Sequence, residues 1–246
     1  MASGTAAVGR VLIGTSGWEY DSWVGSFYEG RDGLLRRYAQ RFTTVEVNST
    51  FYGLPDERTI HEWIEAIADR EFTFAVKASR YITHMKKLKD PEDPLRRFFD
   101  SVAPLGDRAE VVLFQLPPSW KHNAERLGSF LGSLPAAQRY AFEFRDPSWF
   151  RDEVYEMLRA HNAAFCIYHL GDVLSPKEVT ADYVYIRLHG AQGKYHGSYS
   201  PQDLSGWAGA ISAWSRSGKD VYVYFDNDQE AAAPGDATRL RQMLGG

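Results

Sequence analysis

The sequence predicts a single (β/α)₈ barrel of the TIM type, and three observations favour that fold. Eight short apolar runs alternate with longer amphipathic segments along the chain. Such alternation is typical of a parallel sheet with helical crossovers, and eight is the number of strands that closes a TIM barrel. The length of 246 residues suits one domain of this kind. Charged residues also fall late in several runs, where barrel enzymes carry their chemistry.

The eight predicted strands are short and rich in β-branched and aromatic residues: Val11–Gly14, Thr44–Asn48, Phe72–Lys77, Val111–Leu116, Tyr140–Arg145, Ala164–Tyr168, Tyr183–His189 and Val221–Asp226. Amphipathic segments predict the helices: Leu34–Arg41, Glu57–Asp69, Pro94–Ala103, Glu125–Leu134, Asp152–His161, Gln202–Ser217 and Ala237–Leu244. The connection after the sixth strand, Leu170–Asp182, is too short and irregular for a full helix. A doubly wound open sheet shares the alternation, but Gly14-Thr15-Ser16-Gly17 is not a dinucleotide-binding fingerprint.

Composition excludes several classes of protein. The net charge of −4 argues against a general nucleic-acid coat protein, although a local basic patch is compatible with it. Cys166 is the one cysteine, so we expect no intrachain disulfide, and its apolar surroundings predict a buried small residue. No run is long and apolar enough for a membrane span, and no signal peptide is evident. We expect one cytoplasmic domain over residues 1–246, with 1–9 a loose extension and the oligomeric state open.

Strand parity predicts which side chains enter the barrel, because successive residues of a strand point to opposite faces. In the fifth strand, Tyr140, Phe142 and Phe144 share an apolar face, and Glu143 and Arg145 share the other. We expect the apolar faces to meet the helices and the mixed faces to line the interior. The same reasoning brings a set of polar residues to the C-terminal mouth: Glu46, Asn48, Lys77, Glu143, Arg145, Arg187, His189 and Asp226, with Gln115 from the fourth strand.

The motifs that contain these residues resemble the YecE-like family, a family of unknown function. They run in order through nearly the whole chain: Gly14-Thr15-Ser16-Gly17-Trp18, the segment Thr44 to Tyr52, Phe74-Ala75-Val76-Lys77-Ala78, Ile82-Thr83-His84, the segment Leu113 to Pro118, Phe142-Glu143-Phe144-Arg145, Arg187-Leu188-His189-Gly190 and the segment Tyr224 to Asp228. The resemblance implies a TIM-type barrel and no settled activity.

Two positions depart from the family pattern. After the sixth strand an acidic residue is expected, whereas this chain has Tyr168-His169-Leu170-Gly171, with Asp172 following later. Where the family reads Phe-Asn-Asn, this chain has Phe225-Asp226-Asn227. The sixth-strand position of the site is therefore open, and one additional carboxylate is expected in the mouth.

The predicted mouth favours an enzyme that acts on a polar anionic ligand, with phosphate-bearing compounds the expected class. Lys77, Arg145 and Arg187 would hold the anion, and acid–base chemistry would fall to Glu143, Glu46 or His189. If Glu143 acts, Arg145 should lower its pKa and favour a base. Further ligand-binding residues are predicted at the mouth and in the glycine-rich loop after the seventh strand: Asn48, Tyr52, Gln115, Lys194, Asp226 and Asn227. Whether the reaction is that of a hydrolase or a lyase stays open.

Alternative functions remain open from the sequence. Glu46, Glu143, His189 and Asp226 would be the ligands in a metal-dependent phosphodiesterase resembling endonuclease-IV-type barrels, although three nearby cations disfavour a metal and we predict no cofactor. The basic stretch Lys77–Lys89, with the loop aromatic residues, would suit a non-catalytic module that binds nucleotides or a nucleic-acid strand. Two carboxylates could form a glycosidase pair if their separation allowed it. The charged ring could also be a purely structural salt-bridge network.

Overall fold

The structure is a computed structural model that describes residues 7–246. Its strands follow in chain order: β1 Val11–Thr15, β2 Thr44–Val47, β3 Thr73–Lys77, β4 Ala109–Gln115, β5 Arg139–Glu143, β6 Ala164–Leu170, β7 Val173–Leu174, β8 Tyr183–Leu188 and β9 Asp220–Phe225. Each of the eight predicted strands is present, and β7 is an additional two-residue strand. Strands β1–β6, β8 and β9 pair in parallel in the order β1-β9-β8-β6-β5-β4-β3-β2. The predicted eight-stranded barrel is confirmed.

The barrel closes between β1 and β2 through one narrow contact. Ser16 pairs with Glu46 in a parallel bridge, and Gly17 N donates to the Glu46 carbonyl oxygen over 2.7 Å. The backbones approach so closely that a Cβ on Gly14 would lie 2.2 Å from the Thr44 carbonyl oxygen. Glycine at this position therefore permits the closure that brings Ser16 and Glu46 together at the mouth.

The helices surround the barrel: α1 Leu34–Tyr38, α2 Ser49–Tyr52, α3 Glu57–Ala66, α4 Glu92–Val102, α5 Ala124–Gly132, α6 Asp152–Ala160, α7 Pro201–Arg216 and α8 Ala232–Met243. Local signals explain several of their starts. The Asp56 side chain accepts from Thr59 N at the start of α3, and Ser200 and Asp203 form a capping box before α7. The short α2 lacks such a cap and a long apolar stripe, and the sequence did not predict it.

The connection between β6 and β8 contains no helix, as predicted. Its first residues turn back as β7, which pairs antiparallel with the end of β6. Beyond β7, the Ser175 hydroxyl accepts from Tyr168 N over 2.9 Å, and the Thr180 hydroxyl accepts from Phe165 N over 2.7 Å. Side-chain hydroxyls of this connection thus accept hydrogen bonds from backbone N–H groups of β6.

Strand parity holds around the barrel. Inward positions form a compact interior cluster that includes Ala141, Cys166, Tyr185, Tyr222 and Tyr224, whereas Phe142, Ile186 and Val223 belong to the larger core beneath the helices. The buried position predicted for Cys166 is confirmed. Of the predicted N-terminal extension, residues 1–6 lie outside the described residues, and Gly9 N donates to the Ser215 carbonyl oxygen over 2.9 Å.

Candidate functional site

Arg187 stands at the centre of the charged mouth and is fully buried. Its Nε lies 3.0 Å and 2.9 Å from the two carboxylate oxygens of Glu46, and its Nη2 lies 3.0 Å from Asp226 Oδ2. On the other side, Arg187 Nη1 donates to Glu143 Oε2 over 2.8 Å. One guanidinium therefore joins carboxylates from β2, β5 and the end of β9, and these charge-assisted bonds hold the mouth together.

Glu46 accepts further hydrogen bonds, so that both of its carboxylate oxygens have several donors. The Tyr185 hydroxyl donates to Oε2 over 2.6 Å, and the Ser16 hydroxyl donates to Oε1. Asn48 Nδ2 in turn donates to Ser16 Oγ over 2.6 Å. Glu46 has no solvent-accessible surface, so it is shielded from any ligand by its own partners.

His189 is also buried beneath the mouth. Its Nδ1 lies 2.8 Å from Asp226 Oδ2, and its Nε2 lies 3.0 Å from Arg145 Nη2, which can only donate. This pattern favours the arrangement in which Nδ1–H donates to Asp226 and Nε2 faces the Arg145 guanidinium. His189 then orients Asp226 and Arg145, since both of its ring nitrogens are engaged.

The electrostatics of the mouth keep the Glu143 and Asp226 carboxylates ionised. Burial alone would raise the pKa of Glu143, but the Arg145 and Arg187 guanidinium groups outweigh it and hold that pKa well below its ordinary value. Burial likewise opposes ionisation of Asp226, and Arg187 with His189 lowers its pKa despite that. The predicted depression of the Glu143 pKa by Arg145 agrees with this balance.

A cavity of about 400 Å³ opens above this network. Its lining combines one cation, two carboxylates, two amides and three tyrosines: Lys77, Asp226, Asp228, Asn48, Gln229, Tyr20, Tyr52 and Tyr195. Asn48 Oδ1 is buried and has no hydrogen-bond partner in the described structure. The size and the mixed lining are suitable for a small polar molecule.

Lys77 differs from the other cations of the mouth. Across residues 7–246 its Nζ makes no hydrogen bond and no salt bridge, and it stands 4.5 Å from the centroid of the Phe51 ring. The side chain is largely buried, and burial together with the nearby Arg187 lowers its pKa to about 8. Arg145, in contrast, is bonded to Glu143 and to His189.

The loop after β8 brings a tyrosine over the mouth. Gly190 has φ 113°, and a Cβ there would lie 2.4 Å from the His196 carbonyl oxygen, so the turn requires glycine. The turn sets the Tyr195 ring 5.8 Å from the His189 ring. Lys194, which the sequence predicts as a ligand-binding residue, is exposed in this loop and does not line the cavity.

Several predicted site residues have other positions. Asn227 faces away from the mouth, where its Nδ2 donates to the Gly197 carbonyl oxygen and to Asp236 Oδ2, each over 2.8 Å. Strand alternation explains this, because Asp226 before it points inward. Gln115 Nε2 donates to the Leu116 carbonyl oxygen over 3.2 Å and does not line the cavity. Tyr52 does line the cavity and is strongly exposed.

The three sequence candidates for proton transfer lie together, but beneath the cavity. Glu46, Glu143 and His189 have no accessible surface and do not line it. Those three and Asp226 are the alternative metal ligands, and the Arg187 guanidinium occupies the space among the carboxylates. Within the described residues, no three His, Cys, Asp or Glu side chains are grouped as a metal site requires. In the described structure, Glu46, Glu143 and Asp226 are instead paired with Arg187, and His189 with Asp226.

Sequence reasoning missed some members of the site. Tyr185 faces inward from β8, and Ser16 follows directly after β1, so parity could have found both. At the open sixth-strand position, Tyr168 points inward, with the Arg145 guanidinium 5.1 Å from its ring, while Asp172 is exposed. Asp228 and Gln229 are contributed by the loop after β9, for which the sequence offered no periodic signal.

A second cavity, of about 440 Å³, lies outside the mouth between Tyr81 and the start of α4. Its charged side chains are paired with each other. Lys86 lies 3.3 Å from Asp90, and Arg97 lies 2.9 Å from Asp93. This cavity thus has no unpaired charge of the kind that Lys77 supplies to the mouth.

Sequence and structure comparisons identify the family of this barrel. The family model described as "Protein of unknown function DUF72" matches residues 12–246. The chain belongs to the DUF72 family. The predicted YecE-like membership is thereby confirmed, and the family description assigns no activity.

Individual relatives agree with this assignment. The UPF0759 protein YunF of Bacillus subtilis is 24% identical over 271 residues, covering 95% of this chain and 94% of YunF. The UPF0759 protein YecE of Escherichia coli K12 is 32% identical over 143 residues, covering 57% of this chain and 50% of YecE. The crystal structure of a DUF72 family protein from Thermotoga maritima has a TM-score of 0.85 at 30% identity, covering 96% of this chain and all of that one. In residues 7–246, no helix is long and apolar enough to cross a membrane.

Proposed function

We propose that this DUF72 protein is an enzyme that binds a small polar anionic ligand in the mouth cavity and transfers a proton on it. The observation that carries the proposal is Lys77, a largely buried cation that faces the cavity without a partner in the described structure. A buried charge destabilises a protein unless it is paired. A ligand carboxylate or phosphate would supply the missing partner.

The other charged groups of the mouth are bonded to each other. Glu46, Glu143 and Asp226 are each bonded to Arg187, and none of them forms a salt bridge with Lys77, although their charges partly oppose the lowering of its pKa. Arg145 is similarly engaged by Glu143. Lys77 is therefore the cation of the mouth that has no salt bridge in the described structure, and its amine can meet an incoming anion at the cavity.

Proton transfer in this proposal involves Asp226 and Lys77, which line the same cavity. Asp226 stays ionised because Arg187 and His189 oppose the effect of burial on its pKa, so it can act as a base. Lys77, with a pKa of about 8, can give or take a proton near neutral pH. Glu143, Glu46 and His189, the sequence candidates for this role, would instead hold Arg187 and Asp226 in place.

The test measures thermal stabilisation by inorganic phosphate, pyruvate and ribose 5-phosphate. A ligand that binds the folded state raises the melting temperature as its concentration increases. We expect stabilisation of the natural chain by at least one probe, its loss in Lys77→Met, and its retention in Lys121→Met, which changes an exposed lysine. Equal stabilisation of Lys77→Met would refute the proposal, and so would the absence of stabilisation by all three probes.

Exposed aromatic residues favour a second candidate function, the binding of a nucleotide or a nucleic-acid strand without catalysis. Tyr52 is 75% exposed and Tyr81 is 46% exposed, and the basic residues Lys86 and Lys87 follow Tyr81 closely. This candidate predicts binding that weakens steeply with salt and survives Asp226→Asn. Fluorescence anisotropy with a labelled oligonucleotide would measure both. A cytoplasmic location belongs to either proposal.

A further inference from the structure

We infer that the Lys77 amine forms an imine with a carbonyl ligand, and that the ligand is a small 2-oxo acid. This inference deepens the proposed function and rests on it, because it assigns the substrate class of the same cavity. It stands on the geometry of the cavity, which is lined by both the Lys77 amine, without a salt bridge in the described structure, and the Asp226 carboxylate, which His189 orients.

Lys77 has the surroundings that make a lysine nucleophilic. It is the last residue of β3, its side chain is partly buried, and its amine lies against the Phe51 ring, which helps to hold it in place. Desolvation and a neighbouring cation both favour the neutral amine, and Arg187 is that cation. Glu46, Asp226 and Glu143 favour the charged form, but burial and Arg187 outweigh them, and no carboxylate in the described residues lies within 4.0 Å of Nζ.

The reaction can be written with its atoms balanced. The Lys77 ammonium first releases one proton to cavity water, and the neutral amine attacks the carbonyl carbon. A C–N bond forms, and the carbonyl oxygen takes that proton back from the water to give an N-protonated carbinolamine. Asp226 can accept a proton from this nitrogen through a bridging water and return it to the hydroxyl oxygen. The C–O bond then breaks with loss of water, and the nitrogen electron pair completes the C=N bond. An ammonium and a carbonyl are thus converted into a protonated imine and one water, with no redox partner.

The charge balance selects the 2-oxo acid among carbonyl compounds. The protonated imine retains the positive charge that Lys77 brought into the cavity, and the described protein residues offer that charge no salt bridge. A carboxylate on the carbon next to the carbonyl supplies the counter-charge from the ligand itself. A simple aldehyde would leave the charge unpaired. The cavity of about 400 Å³ has space for a molecule of this size, and Tyr20, Tyr52 and Tyr195 can contact its remaining atoms.

The experiment traps the imine in the full-length chain with pyruvate as the probe. After incubation, sodium borohydride reduces the imine to a stable secondary amine, and mass spectrometry measures the intact protein and its peptides. We expect one reduced pyruvate per chain, located on Lys77, with a yield that increases as the pH rises through about 8. Lys121→Met should be labelled as the natural chain is, and Lys77→Met should not be labelled.

Lys77→Arg is a second variant that retains the charge but cannot form the imine. Circular dichroism establishes that each variant is folded. Label spread over surface lysines, or no label on Lys77, would overturn the inference. Phosphate stabilisation, measured in parallel, separates the two proposals. If phosphate stabilises the protein and pyruvate leaves no adduct, the imine is wrong and anion binding stands. If pyruvate leaves no adduct and none of the three probes stabilises the protein, both are wrong.

Discussion

The two ends of this barrel both have clusters of arginine and carboxylate, but the clusters differ in burial and in completeness. At the N-terminal end, Arg10 Nη2 lies 2.8 Å from Glu110 and 2.9 Å from Asp220, and Arg139 also bonds to Asp220. The Arg10 side chain is 54% exposed. At the mouth, Arg187 is 1% exposed.

The second difference is whether every polar group of the cluster has a partner. The N-terminal cluster pairs two cations with two carboxylates, and the Tyr222 hydroxyl donates to Glu110 as well. The mouth leaves the Lys77 amine and Asn48 Oδ1 without partners in the described structure, and both residues line a cavity. A network whose only task is stability has no need for such groups, because each destabilises the folded state. The comparison supports the proposal that the mouth receives a ligand.

The largest expected effect is that of Arg187→Met. The change leaves Glu46, Glu143 and Asp226 buried without their central cation, so we expect a loss of about 3–5 kcal/mol in the free energy of unfolding. Urea denaturation measures it. Arg139→Met is the matched control at the other end, where exposure limits the loss to about 1 kcal/mol. Equal losses in the two variants would contradict the difference between the clusters.

Lys77→Met should instead stabilise the protein, by at most about 3 kcal/mol at neutral pH. Its pKa in the folded state, about 8, is below that of an unfolded lysine, so the charged form opposes folding below pH 8. The natural chain should therefore gain stability as the pH rises from about 8 to about 10.4, where the unfolded chain also deprotonates. Urea denaturation across this range measures the gain, which Lys77→Met should lack and Lys121→Met should retain.

A smaller effect is expected for the tyrosines that donate to carboxylates. Tyr185→Phe removes a fully buried bond of 2.6 Å to Glu46 and should reduce the free energy of unfolding by about 2 kcal/mol. Tyr222→Phe removes the corresponding donor to Glu110 in the more exposed cluster, so we expect about 1 kcal/mol or less. Thermal and urea denaturation compare the pair. A larger loss in Tyr222→Phe would reverse the order that burial predicts.

The smallest expected effect is a loss of stability in acid. Burial would raise the pKa of Asp220, but hydrogen bonds from Arg10 and Arg139 outweigh it and lower the pKa to about 2. The ionised Asp220 carboxylate contributes to the free energy of unfolding above about pH 3.9, the pKa of an aspartate in the unfolded chain. This contribution is lost as the pH falls towards 2. After allowance for solvent screening we expect at most about 1 kcal/mol. Acid titration of the natural chain against Asp220→Asn measures it, and parallel curves would exclude this contribution.

The sequence predicted most of the barrel because its signals are local. The alternation of apolar runs located all eight parallel strands, and parity assigned Tyr140 and Phe142 to one face and Glu143 to the other. Helix ends were less predictable. The structure begins α8 at Ala232, five residues before the predicted Ala237, because that first turn lacks an apolar stripe of its own.

The site was predictable as a set of residues and much less as a set of roles. Parity correctly brought Glu46, Lys77, Glu143, Arg187 and Asp226 to one end of the barrel. It could not distinguish the buried network from the cavity wall, because both are inward positions near the ends of strands. Asn227 and Lys194 were attributed to ligand binding from composition and loop position, whereas the structure directs Asn227 outward and leaves Lys194 exposed.

By itself, the sequence determined the fold class, the family and the end of the barrel at which charge collects, since these depend on periodicity and on motifs within short segments. Only the tertiary structure decided the pairing. Glu46 and Arg187 are 141 residues apart, and their bond depends on the closure of β1 against β2 and on the register of β8. The same closure brings Glu46, Glu143 and Asp226 to Arg187 and leaves Lys77 without a salt bridge at the cavity. These pairs join distant strands, so they form only in the closed barrel.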